Sequence, residues 1–271
     1  MQSVKQITSL QNSLVRKIIN LKEKKKGRKT SGLFVVEGQR ELEMALKGGY
    51  RIKTVLIYPE LISVEQAFEL MKSANPQPEF IALSKEVYQR LAYREKTEGI
   101  LAVAEVKSHA LENLSLAESP LILVAEAPEK PGNLGALLRT ADAANLDAVL
   151  IANPKSDLYN PNTIRSSVGC IFTVPIAVGS SEEIIAFLKT KRIRIYSATL
   201  TNAVPYTRAD YTGGCAIVVG TEASGLTETW VDNADTRVVI PMEGQIDSMN
   251  VSVSAAILIF EAKRQRLEQL S

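Results

Sequence analysis

The chain has 271 residues, 45% of them apolar, and a formal net charge of +2. That length admits one large domain or two ordinary ones, with apolar content for a packed core. No apolar run approaches the ~18 residues of a membrane span, and the N-terminus is polar and basic, unlike a secretion signal. A cytoplasmic protein with no membrane partner is expected. The two cysteines, Cys170 and Cys215, lack metal-ligand spacing and are expected as buried free thiols, with no metal site.

The overall balance hides an asymmetry. Residues 1–105 carry 18 Lys and Arg against 12 Asp and Glu, whereas residues 106–271 carry 14 against 18. A basic front half suggests a polyanionic partner for that half.

In chain order, Ile7, Leu10, Leu14, Ile18 and Leu21 recur at helical spacing, so residues 1–30 read as a helix with a basic end. The stretch 22-KEKKKGRKTSG-32 reads as a loop, with Lys24, Lys25, Lys26, Arg28 and Lys29 as phosphate-contacting residues. Each neutralised phosphate releases counterions, which makes such binding salt-dependent; for a charge run taken alone, a solvated flexible loop is the simpler reading. Strands are expected at 33–36, 54–58, 80–82 and 100–106, and helices at 39–47, 63–74 and from a Ser84 cap to about 92. These alternating elements make a small α/β domain over 1–106. Residues 107–118 read as a linker. The only histidine, His109, falls there, which removes imidazole from the rest of the chain and with it Ser-His-Asp, Cys-His and His-metal chemistry.

Residues 119–271 read as a second α/β domain. In 121-LILVAEAPEKPGNLGALLRTADAANLDAVLIA-152, strands at 121–125 and 148–152 flank a helix that Asn133 is expected to cap. Asn160-Pro161-Asn162 opens a short helix, 171–174 reads as a strand, Ser180 caps a helix to about 191, and 193–197 is a strand. The last two strands, 216–219 and 238–240, each stop at small, polar or turn-forming residues. Loops at the carboxyl ends of parallel strands are where open α/β sheets bind ligands. A final helix of ~16–18 residues follows Asn250.

Three segments carry a resemblance. Asn133-x-Gly135-x-x-x-Arg139, Gly220-x-Glu222-x-x-Gly225-Leu226, and Ile240-Pro241-Met242-x-Gly244-x-x-x-Ser248-Met249-Asn250-Val251-Ser252 resemble the three motifs of the SpoU/TrmH family of RNA ribose 2′-O-methyltransferases, in the SPOUT superfamily. Thr221 stands where Asn is common and Met249 where Leu is common, both mild departures. The resemblance covers about 119–266, and residues 8–38 resemble the RNA substrate-binding domain that often precedes it. It implies a C-terminal domain with a trefoil knot, a homodimer, S-adenosylmethionine as methyl donor, and RNA as substrate, with ribosomal RNA preferred to transfer RNA.

The resemblance further implies site residues. Arg139 is the principal catalytic residue, as electrostatic stabiliser or as base, and it acts in its own subunit or across the dimer. Asn133, Glu222, Ser248 and Asn250 arrange the target or the cofactor loop. Leu200, Gly220, Ile240 and Met249 hold the cofactor, and Arg40 joins the lysines on the RNA face. In-line methyl transfer from a sulfonium requires alignment and help with the hydroxyl proton. An arginine stays protonated in nearly every setting, which favours the stabilising role. Two other readings compete. A Rossmann dinucleotide enzyme would want a third glycine after 132-GNLG-135 and an acid ending the next strand, and both are missing. A non-catalytic RNA-binding protein would not need Arg139, Glu222, Ser248 and Asn250 intact.

Overall fold

A computed structural model describes residues 4–93, 98–221, 223–245 and 248–269. The chain folds as two compact units, Met1–Lys107 with Asp157–Thr173, and Ser108–Ser156 with Val174–Ser271.

The first unit begins with β1 (Lys5–Ile7), α1 (Ser13–Glu23) and α2 (Lys25–Ser31), followed by β2 (Leu33–Glu37), α3 (Gln39–Lys47), β3 (Ile52–Ile57), α4 (Val64–Leu70), β4 (Glu79–Leu83), α5 (Lys85–Leu91) and β5 (Ile100–Glu105). Its sheet runs β1-β4-β3-β5-β2, with β5 antiparallel to both neighbours. Alternate strand residues Val35, Leu56, Ile81, Leu101 and Val103 point to one face and pack with Val15, Ile18 and Leu21 of α1 and Val87 and Leu91 of α5. The basic stretch expected as a loop is helical instead. Asn12 caps α1 by accepting from Leu14 N, and Gly32 ends α2 in a left-handed conformation at φ +65.

The second unit starts with β6 (Leu121–Glu126), α6 (Pro131–Ala143) and β7 (Ala148–Ala152). The stretch expected as a linker is packed rather than free: Leu111 is buried in this unit's core, and His109 O accepts from Val178 N at 2.7 Å. The chain then contributes residues 157–173, with α7 (Pro161–Ser166), to the first unit. Tyr159 stacks on Phe34 with centroids 4.3 Å apart, its hydroxyl lies 3.1 Å from that of Tyr50, and Phe172 meets Tyr50 edge-on at 5.0 Å. The strand expected at 171–174 is therefore absent; Cys170–Phe172 is a 3-10 turn whose aromatic faces the first unit's core.

Back in the second unit come β8 (Ile176–Gly179), α8 (Ser181–Thr190), β9 (Arg194–Ala198), β10 (Val204–Pro205), β11 (Cys215–Val219), α9 (Glu228–Asp232), β12 (Thr236–Val239) and α10 (Val251–Glu268). All strands of this sheet are parallel, in the order β10-β12-β9-β11-β6-β7-β8. Its central strands β6, β7 and β11 are buried along their whole length, which explains their continuous apolar runs. One sheet face packs on α8 and α9 through Ile184, Leu188 and Trp230. Against the other lie α6 and α10, with Leu134, Leu138, Leu258 and Ile259 buried.

Candidate active site

Parallel strands deliver their loops to one edge of the sheet. At the carboxyl ends of β9, β11 and β12 these loops enclose a cavity of ≈ 590 Å³. Leu200, Gly220, Ile240 and Met249, all expected around one ligand, line it together with Ser248 and Leu258. Its size falls within the usual range for small-molecule and cofactor sites. Thr221 and Gly225 exchange backbone hydrogen bonds at 3.0 and 3.1 Å, folding the loop after β11 back on itself. That turn brings backbone against Gly220, where a Cβ would sit 2.2 Å from the carbonyl of Gly225, so the cavity wall there is main chain.

A smaller cavity of ≈ 90 Å³ adjoins it, sharing Gly220, Thr221 and Val251, with Asn133, Lys130, Glu126 and Glu129 on its other sides. Here Asn250 Nδ2 donates to Asn133 Oδ1 at 3.1 Å. Asn250 Oδ1 in turn accepts from Ser252 N at 3.0 Å and Ser252 Oγ at 2.6 Å, which caps α10. Asn133 does not cap α6, contrary to expectation. Pro131 takes the first helical position, where its missing N–H costs nothing, and Lys130 precedes it. Asn133 is thereby left in the first turn, with its side chain turned to Asn250.

Arg139 stands apart. It is exposed on α6, ~9 Å along the helix axis from Asn133, and lines neither cavity. Glu222 lies outside the described residues. Ser248 is exposed at the rim of the larger cavity.

One set of residues escaped the sequence reading. Glu126, 3% exposed at the end of β6, accepts from Thr227 N at 2.9 Å and from Thr227 Oγ1 at 2.7 Å. Ser181 Oγ lies 3.4 Å from the same carboxylate and accepts from Trp230 Nε1 at 2.8 Å and Asn153 Nδ2 at 3.0 Å. A buried carboxylate thus pins the far end of the loop that begins at Gly220. The available signal was an acid closing an otherwise apolar strand, LILVAE.

In the first unit, Lys24, Lys25, Lys26 and Lys29 are exposed around the start and body of α2, and Arg40 is exposed on α3. Arg28 corrects the sequence reading. It is 4% exposed; its Nε donates to Asp157 at 2.5 Å and one terminal nitrogen donates to Leu21 O at 2.5 Å and Lys22 O at 3.2 Å. Its Nε and one terminal nitrogen are committed within the fold, because α2 turns this side chain inward while the lysines on either side face out.

A parallel α/β sheet with a cofactor-sized cavity at its strand ends, walled by main chain and joined to a polar cleft, defines an enzyme that binds a nucleoside-like cofactor. Comparison with known proteins gives the family. The SpoU rRNA methylase family matches residues 120–260, and the MRM3-like substrate binding domain matches residues 12–102. The 23S rRNA (guanosine(2553)-2′-O)-methyltransferase RlmP of Bacillus subtilis (strain 168) is 30% identical over 260 residues, covering 96% of this chain and 100% of that protein. A crystal structure of an RNA 2′-O ribose methyltransferase is 37% identical with a TM-score of 0.81, over 97% of this chain and 99% of that one. An AdoMet-bound rRNA methyltransferase from Sinorhizobium meliloti superposes with a TM-score of 0.88 at 26% identity, over 96% and 98%. The chain belongs to the SpoU rRNA methylase family; it is an S-adenosylmethionine-dependent RNA ribose 2′-O-methyltransferase.

Proposed function

We propose that the protein methylates one ribose of structured ribosomal RNA, with the second unit holding the cofactor and the target ribose and the first unit gripping the RNA. The observation that carries this reading is the joining of two cavities through Gly220, Thr221 and Val251. The larger one suits S-adenosylmethionine: Leu200, Ile240 and Met249 offer apolar surface to an adenine ring, and the backbone at Gly220 allows close approach. When bound, that cofactor supplies a methyl group on a sulfonium that leaves as a neutral thioether.

The residues of this chain do the rest. Asn133 and Asn250, fixed to each other, orient the ribose at the smaller cavity, with Ser248 at the rim of the larger one. Glu222 orders the cofactor loop or the target. Arg139 stabilises negative charge developing on the 2′-oxygen as its proton leaves. Because it stands away from both cavities of its own chain, the reading places it at the site of a second subunit. The surface for such a homodimer is a stripe on α10, where Val253, Phe260 and Leu267 are 48%, 50% and 63% exposed. The trefoil knot belongs to the same reading. β12 pairs with β9, while α10 packs on β11, β6 and α6. Lys24, Lys25, Lys26, Lys29 and Arg40 provide phosphate contacts, which position RNA without specifying its sequence. A cytoplasmic location follows from a ribosomal substrate, and no helix among the described residues is long and apolar enough to cross a membrane.

The test is methyl transfer from labelled S-adenosylmethionine into total RNA from cells lacking the protein, with ribose-methylation mapping. Wild type should label one ribose of ribosomal RNA, and Arg139→Ala should lose about 10²–10³-fold in rate, the loss seen when one charge-stabilising donor is removed. Label in transfer RNA alone would overturn the substrate, and equal rates for both proteins would overturn the role of Arg139.

A further inference from the structure

A cavity of ≈ 260 Å³ is lined entirely by residues of the first unit. Its wall includes Lys22, Glu37, Glu41, Tyr93, Glu98 and Arg165. It falls just below the range of sites for drug-sized ligands, which leaves room for one planar ring system.

One side is a stacking platform. The Arg165 guanidinium lies 3.7 Å from the centroid of the Tyr93 ring and is held by a 2.7 Å hydrogen bond to Asn162 Oδ1. Tyr93 is 53% exposed. Aromatic rings and arginine planes are the surfaces on which proteins stack unpaired RNA bases.

The other side is a set of acceptors in different states. Glu37 accepts from Lys22 Nζ at 3.1 Å and from Tyr93 N at 2.7 Å. Glu98 accepts from Gln39 N. Glu41 is different: among the described residues no side chain donates to its carboxylate, and burial, followed by the nearby charge of Glu98, outweighs the opposing charge of Arg40 and raises its pKa above the usual carboxylate value. Gly38, at φ +106, keeps this corner open. A Cβ there would lie 2.5 Å from Glu41 Oε2.

A half-buried carboxylate short of donors selects a ligand that brings two. Among the four RNA bases, only guanine presents adjacent N1–H and N2–H donors on its pairing edge. Uracil flanks its single N–H with two carbonyls, and adenine and cytosine set an amino group beside an acceptor nitrogen, so each would turn a lone pair toward the carboxylate. We propose that this cavity holds one unpaired guanine of the RNA, stacked on the Tyr93–Arg165 pair and read through N1–H and N2–H by Glu41. This rests on reading the first unit as the RNA-gripping one. Lys22, whose helix runs on toward the exposed lysines of α2, ties the cavity to the charge that would carry the backbone on either side of the base.

The test uses the full-length protein and fluorescein-labelled pentaribonucleotides UUGUU, UUIUU, UUAUU, UUCUU and UUUUU, with I for inosine, followed by anisotropy. UUGUU should bind about tenfold more tightly than the A, C and U probes, with inosine between, since it keeps N1–H and loses the amino group. Glu41→Gln should bring UUGUU to within about twofold of UUUUU. Tyr93→Ala, at an exposed position that leaves the core intact, should weaken UUGUU about tenfold. Equal affinity for all five probes, no detectable binding, or a guanine preference that survives Glu41→Gln would overturn the proposal. Transfer into total RNA by wild type decides the catalytic reading separately. Transfer without guanine preference removes only the cavity's role, and guanine preference without transfer keeps the cavity and removes the catalytic reading.

Discussion

Removing the Glu126 carboxylate should loosen the cofactor loop from its far end. In Glu126→Ala, Thr227 N–H loses its acceptor and Thr227 Oγ1 loses a charged partner, at 2.9 and 2.7 Å. Thr227 is itself exposed, so water can satisfy its N–H, and what is lost is hydrogen bonding to a charged group, about 1.5–3 kcal/mol. That energy now favours states in which the loop from Gly220 to Thr227 is displaced, and apparent affinity falls with the fraction of molecules holding it in place. At about 1.4 kcal/mol per factor of ten, the dissociation constant for S-adenosylmethionine should rise roughly 10- to 100-fold. Glu126→Gln is the control. Its carbonyl can accept from Thr227 N, and its amide can donate to Thr227 Oγ1, whose hydroxyl rotates to accept. The rise there should stay below about tenfold, since only charge assistance is lost. Isothermal titration calorimetry measures both, with thermal melts to confirm folding. The rate at saturating cofactor should change much less than the affinity. Wild-type affinity in Glu126→Ala would refute the idea that this carboxylate holds the loop.

Gly220→Ala should abolish measurable cofactor binding by calorimetry, since its Cβ would press on backbone at 2.2 Å, which cannot swing aside as a side chain could. Replacing Lys24, Lys25, Lys26 and Lys29 by Ala, one at a time, should each lower the salt slope of RNA binding by about one. Arg28→Ala should act instead on stability, lowering the melting temperature, because Asp157 keeps a largely buried charge whose partner is gone. Cys170 and Cys215 are free and buried, and burial raises the Cys215 thiol above its usual pKa. Ellman's reagent should react with neither cysteine in the native protein at neutral pH and with both in guanidinium.

The strands of the second unit were legible because a parallel sheet covered on both faces writes itself as apolar runs, and β6, β7 and β11 are such runs. The clustering of Leu200, Gly220, Ile240 and Met249 was legible only through resemblance, since no local pattern brings position 200 to position 249. The misses share a cause, a dependence on partners far away in the chain. β1 is a three-residue strand with only Ile7 buried, and its pairing with β4 decides it. Cys170–Phe172 has the apolar content of a strand, yet Phe172 packs on Phe34 and Tyr50. Arg28 differs from its lysine neighbours in one respect, an inward position opposite Asp157, which charge patterning does not encode. Asn133 followed an ordinary capping rule that Pro131 overrode.

The insertion of Asp157–Thr173 into the first unit means that the backbone passes between the units three times, after Lys107, Ser156 and Thr173. Neither unit is a detachable module. A truncation that begins at Ser108 would carry Tyr159 and Phe172 without Phe34 and Tyr50, leaving aromatic surface with nothing to cover it and an Asp157 without Arg28. Such a fragment should aggregate even with the methyltransferase sheet complete, and one proteolytic cut near residue 107 should leave both halves held together. Any exchange of substrate specificity between relatives must therefore move this internal segment along with the N-terminal one, since the two stretches share a single aromatic core.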